Sequence, residues 1–329
     1  MPEHPVVRKV LIIRFSSLGD IVLTSLLVRC LKKQLGCEIH YLTKNSFKDL
    51  VSSNPNIDKV WLLNNKIANI IPVLKAEHYD LIIDLHKNLR SLLIRFHLWN
   101  IPAVSYHKAN VAKWLAVQFK IHRFPKNHIA LRYLHTLKKY NVQDDGHGLD
   151  YFIPTYDQID LQSIPVTTPY IALVIGAAHF TKRIPLIKLQ ELIASLDVIY
   201  PILIIGGPAE SAAGQLLASD RVINTCGKYN INQSASLLNQ AAFVVAPDTG
   251  MMHIAAALKK PIRSIWGSTL AEFGFWPFYG FNHKDLNVSF EIKGLSCRPC
   301  ARFGRQSCPE GHFKCMMLQD MKSVADILH

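Results

Sequence analysis

No apolar run in this sequence approaches the roughly 20 residues that a bilayer-spanning helix needs. The N-terminus, MPEHPVVRKVLIIRF, lacks the extended apolar core and small-residue cleavage site of a signal peptide. A cytoplasmic protein is expected, able to rest on a membrane surface. Several active-site signatures are missing too: G-x-G-x-x-G, G-x-x-x-x-G-K-[ST], G-x-S-x-G and H-E-x-x-H are all absent. Their absence weighs against a dehydrogenase, a P-loop kinase, a serine hydrolase and a zinc peptidase. Seven cysteines in 329 residues are too few for a secreted disulfide scaffold. Acidic residues are short relative to basic ones, 24 against 37, giving a formal net charge of +13. Such a field favours an anionic partner, whether nucleic acid, an acidic membrane or a phosphorylated substrate. The cations are scattered in pairs such as Lys32–Lys33, Lys138–Lys139 and Lys259–Lys260, with no long block of the kind that marks a nucleic-acid tail.

Apolar residues make up 49% and charged residues 19%, an ordinary globular composition, and the length suits two domains of roughly 150 residues. The first half alternates β-rich runs, beginning at Lys9, Glu38, Lys59, Tyr79 and Ala103, with segments of helical period such as Ile21 to Leu35. The second half restarts the rhythm with strands at Tyr170, Pro201, Val222, Phe243 and Ile262. Alternation of this kind predicts parallel sheets covered by helices. Between the halves, DDGHG, IPTYDQ and IPVTTP are rich in Gly, Pro, Asp and Thr, which sets the expected domains at 1–155 and 156–329. Two doubly wound α/β domains facing a cleft are the expected architecture.

Four strand ends carry candidate chemistry. SSLGD follows the first strand and places Asp20 at a helix start, where it is either a first-turn carboxylate favoured by the helix dipole or a functional group at a ligand-binding strand end. FVVAP is followed by Asp248, Thr249, Gly250 and, one turn along a helix, His253. Free N–H groups at that helix start suit a phosphate, whereas the plain alternative is capping by Asp248 or Thr249 with His253 in the core. The loop GAAHFTKRIP offers Lys182 and Arg183, and IIGGPAE offers two glycines and Glu210. Each is a turn with a solvated charge or a contact to a diphosphate and a ribose.

Taken together, KVLIIRFSSLGDIVLTSLLV, TKRIP, GGPAE, APDTGMMHIAAAL and CRPCARFGRQSCPEGHFKCM resemble, in that order along nearly the whole chain, the family 9 glycosyltransferases typified by ADP-heptose:lipopolysaccharide heptosyltransferases. The resemblance implies a GT-B fold, an inverting reaction with no cofactor and no catalytic metal, and a nucleotide-sugar donor held mainly by the C-terminal domain. It implies Asp20 as general base, Lys182 on the diphosphate and Glu210 on the ribose. Asp248, Thr249, Gly250 and His253 are implied to contact the phosphates and donor sugar. Ala177 and Ala178 depart from relatives that carry hydroxyl residues there, which bears on donor affinity and identity. Tyr229, just before a helix, falls where a side chain either packs on the base or fills the core. Lys87 and Arg90, after a strand of the N-terminal domain, suit an acidic, phosphorylated or Kdo-containing acceptor.

The expected reaction is transfer of heptose from ADP-heptose to the lipopolysaccharide inner core, or a lipid A-linked acceptor, at the cytoplasmic face of the inner membrane, without nucleic acid. One alternative is a family 9 enzyme with another donor or acceptor sugar. Another is a nucleic-acid-binding protein with a zinc module built from Cys297, Cys300, Cys308 and Cys315, whose spacing C-x2-C, x7, C, x6, C is compatible with four metal ligands. Reduced buried thiols and labile disulfides are the other readings of that cluster, and in every case it is expected to be structural.

Overall fold

A computed structural model describes residues 6–64, 66–196, 200–281, 283 and 286–326. The chain divides into two compact units: Met1–Lys108 with Asn127–Phe152 and Gly280–Asn282, and Ala109–Lys126 with Ile153–Tyr279 and His283–His329.

In the first unit, β1 (Lys9–Ile13), β2 (Glu38–Lys44), β3 (Lys59–Leu63), β4 (Leu81–Asp84) and β5 (Ala103–Ser105) form a parallel sheet in the order β3-β2-β1-β4-β5. The helices in chain order are α1 (Leu18–Val22), α2 (Ser25–Leu35), α3 (Ile67–Ala76), α4 (Leu89–His97), α5 (Asn110–Phe119, which groups with the second unit) and α6 (Ile129–Leu134). The inner strands β1 and β4 are nearly unbroken apolar runs because helices cover both faces, whereas the edge strands β3 and β5 stay half-buried. Leu11, Ile13 and Phe15 pack with Leu74, Ile94 and Leu98 on one face. From β1 the chain steps outward to β2 and β3, then returns so that β4 pairs on the other side of β1, with Ile13 opposite Asp84. The crevice beyond the carboxyl ends of β1 and β4 is therefore the topological switch point, where open α/β sheets bind ligands.

The helical period from Ile21 to Leu35 is broken in the structure between α1 and α2. Thr24 Oγ1 donates to the Ile21 carbonyl at 2.7 Å and meets the Tyr41 hydroxyl at 3.0 Å, a side-chain bond that competes with the helical ladder. The end of α2 was more legible: Gly36 takes the left-handed conformation (φ 63°) and returns its N–H to the Lys32 carbonyl.

In the second unit, β6 (Ile171–Val174), β7 (Ile202–Ile205), β8 (Val222–Asn224), β9 (Phe243–Pro247), β10 (Ile262–Trp266) and β11 (Asn287–Glu291) form a parallel sheet in the order β11-β10-β9-β6-β7-β8. Its helices are α7 (Leu186–Ser195), α8 (Ser211–Leu217), α9 (Ile231–Gln240), α10 (Gly250–Ala257), α11 (Lys314–Met317) and α12 (Met321–Ala325). Here the switch point lies between β6 and β9. Leu189 and Leu192 from α7, and Met316, Met321 and Val324 from the C-terminal helices, share one core with Ile171, Leu173 and Ile204. The C-terminal segment is thus part of this unit's core.

Candidate active site

Each switch point holds a cluster of polar side chains. In the first unit, Ser17 is the N-cap of α1 and Asp20 its third residue, and the Ser17 hydroxyl and N–H both approach Asp20 Oδ2, at 2.8 and 3.4 Å. Asp20 therefore closes a capping box, as its place at a helix start suggests, but capping does not exhaust its contacts. Arg14 Nη2 lies 2.6 Å from Oδ2, and the Tyr133 hydroxyl donates to Oδ1 at 3.3 Å. Arg14 is buried and also donates through Nη1 to the Leu85 carbonyl just past β4, so its guanidinium bridges the two strands of the switch. Burial opposes the Arg14 charge, yet Asp20, Tyr133 and Tyr106 hold its pKa above the ordinary arginine value. Burial pushes the Tyr133 phenol far upward, which leaves it a hydrogen-bond donor at neutral pH. The Asp20 side chain keeps 21% of its surface exposed. The cluster thus presents a carboxylate paired with a fixed cation, with an open side toward solvent.

Sequence reading missed Arg14 and Tyr133, and also His86 and Lys108. Burial, then the Arg14 charge, lowers the His86 ring to about 4, so it is neutral at pH 7, and its buried Nδ1 has no hydrogen-bond partner among the described residues. Lys108 is lowered by burial and by Arg14, and it feels Asp84, Asp20 and Lys87. An HK pair after a strand and an SYHK run at the next strand end were the available signals. Buried Asp84 organises the neighbouring turn, accepting from the His86 and Lys87 N–H groups at 3.0 and 2.7 Å and from Ser91 Oγ at 2.9 Å. Lys87 (φ 50°) and Arg90, in the first turn of α4, are both exposed at this edge.

In the second unit, the loop after β6 meets the loop after β9. Lys182 Nζ lies 2.7 Å from Asp248 Oδ2, and Thr269 Oγ1, after β10, donates to the same oxygen at 2.7 Å. Burial opposes ionisation of Asp248, but the Lys182 charge and the hydrogen bonds from Lys182 and Thr269 hold the carboxyl below its ordinary range. Asp248 is therefore committed to Lys182. Thr249 occupies the N-cap of α10 without a side-chain cap bond, and Gly250 opens the helix, both half-buried. His253 is buried one turn on, its ring 6.5 Å from that of Phe275. The start of α10 is thus a set of N–H donors beside a lysine, the arrangement that binds a phosphate.

Glu210 follows β7, its Oε2 accepting from the Gly207 N–H at 3.0 Å and its Oε1 lying 3.2 Å from Arg183 Nη2. The glycines before it are needed for space: a Cβ on Gly206 would stand 2.9 Å from Glu210 Cβ and 2.8 Å from Cys226 Sγ. Tyr229 is half-buried in the turn before α9, two residues past Gly227, whose N–H bonds the Gly206 carbonyl at 3.0 Å. The structure therefore joins Lys182 to Asp248 and places Glu210 and Tyr229 along the adjoining strand ends. Asp20, Lys87 and Arg90 belong to the other unit.

The C-terminal tail supports these loops. Arg305 N–H donates to Thr181 Oγ1 at 2.8 Å, and Ser268 Oγ donates to the same oxygen at 2.8 Å. Buried Arg298 donates to the carbonyls of Gly267 and Thr269 and pairs with Glu291 at 2.8 Å. Cys297, Cys300, Cys308 and Cys315 are free thiols, and burial pushes Cys315 up to about 12 with the other three as electrostatic neighbours. Among the described residues, Cys, His, Asp or Glu ligand atoms mutually within 4.8 Å occur at Cys30–Asp144–Asp145 and Glu38–His40–Glu77, and the tail thiols are not such a set. At the second of these, Lys9 and Lys59 already pair with Glu77.

The model of glycosyltransferase family 9 (heptosyltransferase) matches residues 67–302. The chain belongs to this family, and it is a glycosyltransferase. It is 26% identical over 321 residues to lipopolysaccharide heptosyltransferase 1 of Pseudomonas aeruginosa, covering 89% of this chain and 86% of that one. In three dimensions it resembles a family 9 glycosyltransferase from Veillonella parvula (TM-score 0.75, 19% identity, 96% of this chain and 95% of that one). It also resembles the heptosyltransferase WaaC of E. coli solved with ADP (TM-score 0.65, 21% identity, 85% and 92%). These likenesses define the fold as GT-B, the two parallel-sheet architecture of the family.

Proposed function

We propose that the enzyme transfers heptose from ADP-heptose to the inner core of lipopolysaccharide, with inversion and without a catalytic metal, at a membrane surface. The observation that carries the donor half is the Lys182–Asp248 pair at the start of α10, across the switch point of the second sheet. As the bond to the anomeric carbon lengthens, negative charge gathers on the departing diphosphate. A lysine fixed by a buried carboxylate, together with the helix N–H groups, stabilises that charge in the way a divalent ion does elsewhere. The second unit is the donor domain in this reading, with Glu210 on the ribose and Tyr229 beside the base.

The first unit handles the acceptor. Asp20 takes the proton from the acceptor hydroxyl as the anomeric carbon becomes cationic. Arg14 and Tyr133 fix the carboxylate in place, and neutral His86 offers a further hydrogen bond to the acceptor. Lys87, Arg90 and Lys108 suit an anionic, phosphate- or Kdo-bearing glycolipid. Names of relatives supply the sugar and the acceptor: one is a lipopolysaccharide heptosyltransferase, and another was solved with ADP. A thermal-shift panel of ADP, UDP, GDP, ADP-heptose and a short oligonucleotide tests the donor. ADP and ADP-heptose are expected to stabilise the fold, by about 2.7 kcal/mol at one hundred times Kd. Stabilisation by UDP, GDP or the oligonucleotide alone overturns the reading.

A further inference from the structure

Helix α4 has two apolar faces. Ser91 and Ile94, with Leu98 just past its end, are buried in the first unit. Leu89, Leu92, Leu93 and Phe96, at the i, i+3, i+4, i+7 spacing of one helical stripe, are 74%, 48%, 41% and 73% exposed, and Trp99 is 83% exposed. Scattered surface hydrophobes need no explanation, but five large ones along eleven residues form a patch that marks an interaction surface. At 100° per residue, Arg90 and His97 flank the stripe on one side and Arg95 flanks it on the other. Residues 85–143 contain eleven Lys and Arg and not one Asp or Glu, which accounts for most of the +13 net charge.

We infer that α4 and Trp99 form the face that docks on an anionic bilayer. The apolar stripe enters the boundary between headgroups and acyl chains, and the flanking cations meet the lipid phosphates. An indole at a helix end suits that depth, where its ring is apolar and its N–H is wet. The contact is interfacial, since no helix among the described residues is long and apolar enough to cross a membrane. An open groove of about 620 Å³, lined by Leu92, Arg95, Phe96 and Trp99, lies along this face. The helix starts four residues after Leu85, whose carbonyl binds Arg14, so docking here holds the Asp20 cluster at the level where a lipid-linked acceptor presents its sugars. This inference rests on the membrane-surface part of the proposed function and names the residues that make the contact.

Vesicle co-sedimentation of the full chain tests it, using phosphatidylcholine vesicles with and without phosphatidylglycerol, alongside the Phe96→Ser/Trp99→Ser variant. The wild type is expected to bind only the vesicles containing phosphatidylglycerol, and less at high salt. The double variant is expected to bind them at least about tenfold more weakly, with an unchanged melting temperature because both side chains point away from the core. Trp99→Ser alone replaces it if the double variant fails to fold, with a smaller loss expected. A wild type that stays in solution with both vesicle types overturns the membrane reading itself. A wild type that binds while the folded variants bind equally well overturns only this face. A wild-type dimer that the variant converts to monomer assigns the face to a second copy of the chain and overturns the proposal as well.

Discussion

Asp20 closes a capping box and is the proposed base, and its partners define the experiment that separates the two roles. As a capping-box residue it needs only an acceptor atom, which asparagine retains. As a base it needs the carboxylate. Asp20→Asn is therefore expected to lower turnover at least about 100-fold with nucleotide affinity unchanged. Position at a helix start alone predicts an unaltered melting temperature, but Arg14 changes that expectation. Its guanidinium is buried, and the substitution removes its carboxylate. A melting temperature lowered by the equivalent of about 1–3 kcal/mol should accompany the loss of activity, less than for a fully buried uncompensated charge because Asp20 is partly solvated. Near-normal turnover in the folded variant removes Asp20 from the mechanism. Lys182→Ala makes a parallel case in the donor unit: it removes a preorganised cation, for about 2–4 kcal/mol in turnover, and it strands the buried carboxyl of Asp248. Steady-state rates and an ADP titration check it, and values within twofold of wild type contradict the assignment.

At the scale of elements, the strands were legible because the inner ones are unbroken runs of Val, Ile and Leu, such as Val10 to Ile13 between Lys9 and Arg14, and Ile202 to Ile205 between Pro201 and Gly206. Strand β11 was not, since NVSFE is a half-exposed edge without a single buried residue. The break between α1 and α2 was hidden as well: it depends on Thr24 meeting Tyr41, a partner on β2. The candidate carboxylates and Lys182 stood out because they sit next to Gly, Ser or Thr at strand ends. Their partners did not, because Arg14–Leu85, Tyr133–Asp20 and Thr269–Asp248 join residues far apart in the chain. The same holds for the bond between α2 and the segment after α6. Arg29 pairs with Asp145 at 2.7 Å and also binds Asp150 and the Gly148 carbonyl. Burial opposes ionisation of Asp145, but the Arg29 hydrogen bonds lower it from 3.8 to about 2. A depressed carboxyl contributes stability above its unfolded value and loses it as pH falls through the folded one. Chemical denaturation is thus expected to show this contribution intact above pH 4 and fading toward about 2. Arg29→Met should remove that part of the acid dependence and cost about 3 kcal/mol at neutral pH, since it leaves the partly buried carboxylates unpaired. An unchanged acid limb in the variant contradicts this account of the pair.

On the scale of the whole molecule, the proposed division of labour rests on a topology repeated in the two units. Each sheet reverses its strand order beside its first strand, and each reversal carries an ion pair at its centre, Arg14–Asp20 in the first unit and Lys182–Asp248 in the second. The alternating pattern of the sequence was enough to expect two such sheets. It was not enough to expect α5 with the second unit, because α5 is tied there by side chains: Lys113 lies 4.4 Å above the Phe275 ring, and Ala116 is buried with Leu270 and Phe273. The repeated ion pair underlies the proposed reaction, in which one unit would deprotonate an acceptor while the other releases a nucleoside diphosphate. The most direct measurement is the mass of a truncated inner-core acceptor after incubation with the enzyme and, in parallel, ADP-heptose, a UDP-sugar and a GDP-sugar. The expected result is an acceptor heavier by one heptose residue with ADP-heptose, ADP released in equal amount, and at least about 100-fold less product from Asp20→Asn in the same time. An acceptor modified from the UDP- or GDP-sugar and not from ADP-heptose would contradict it.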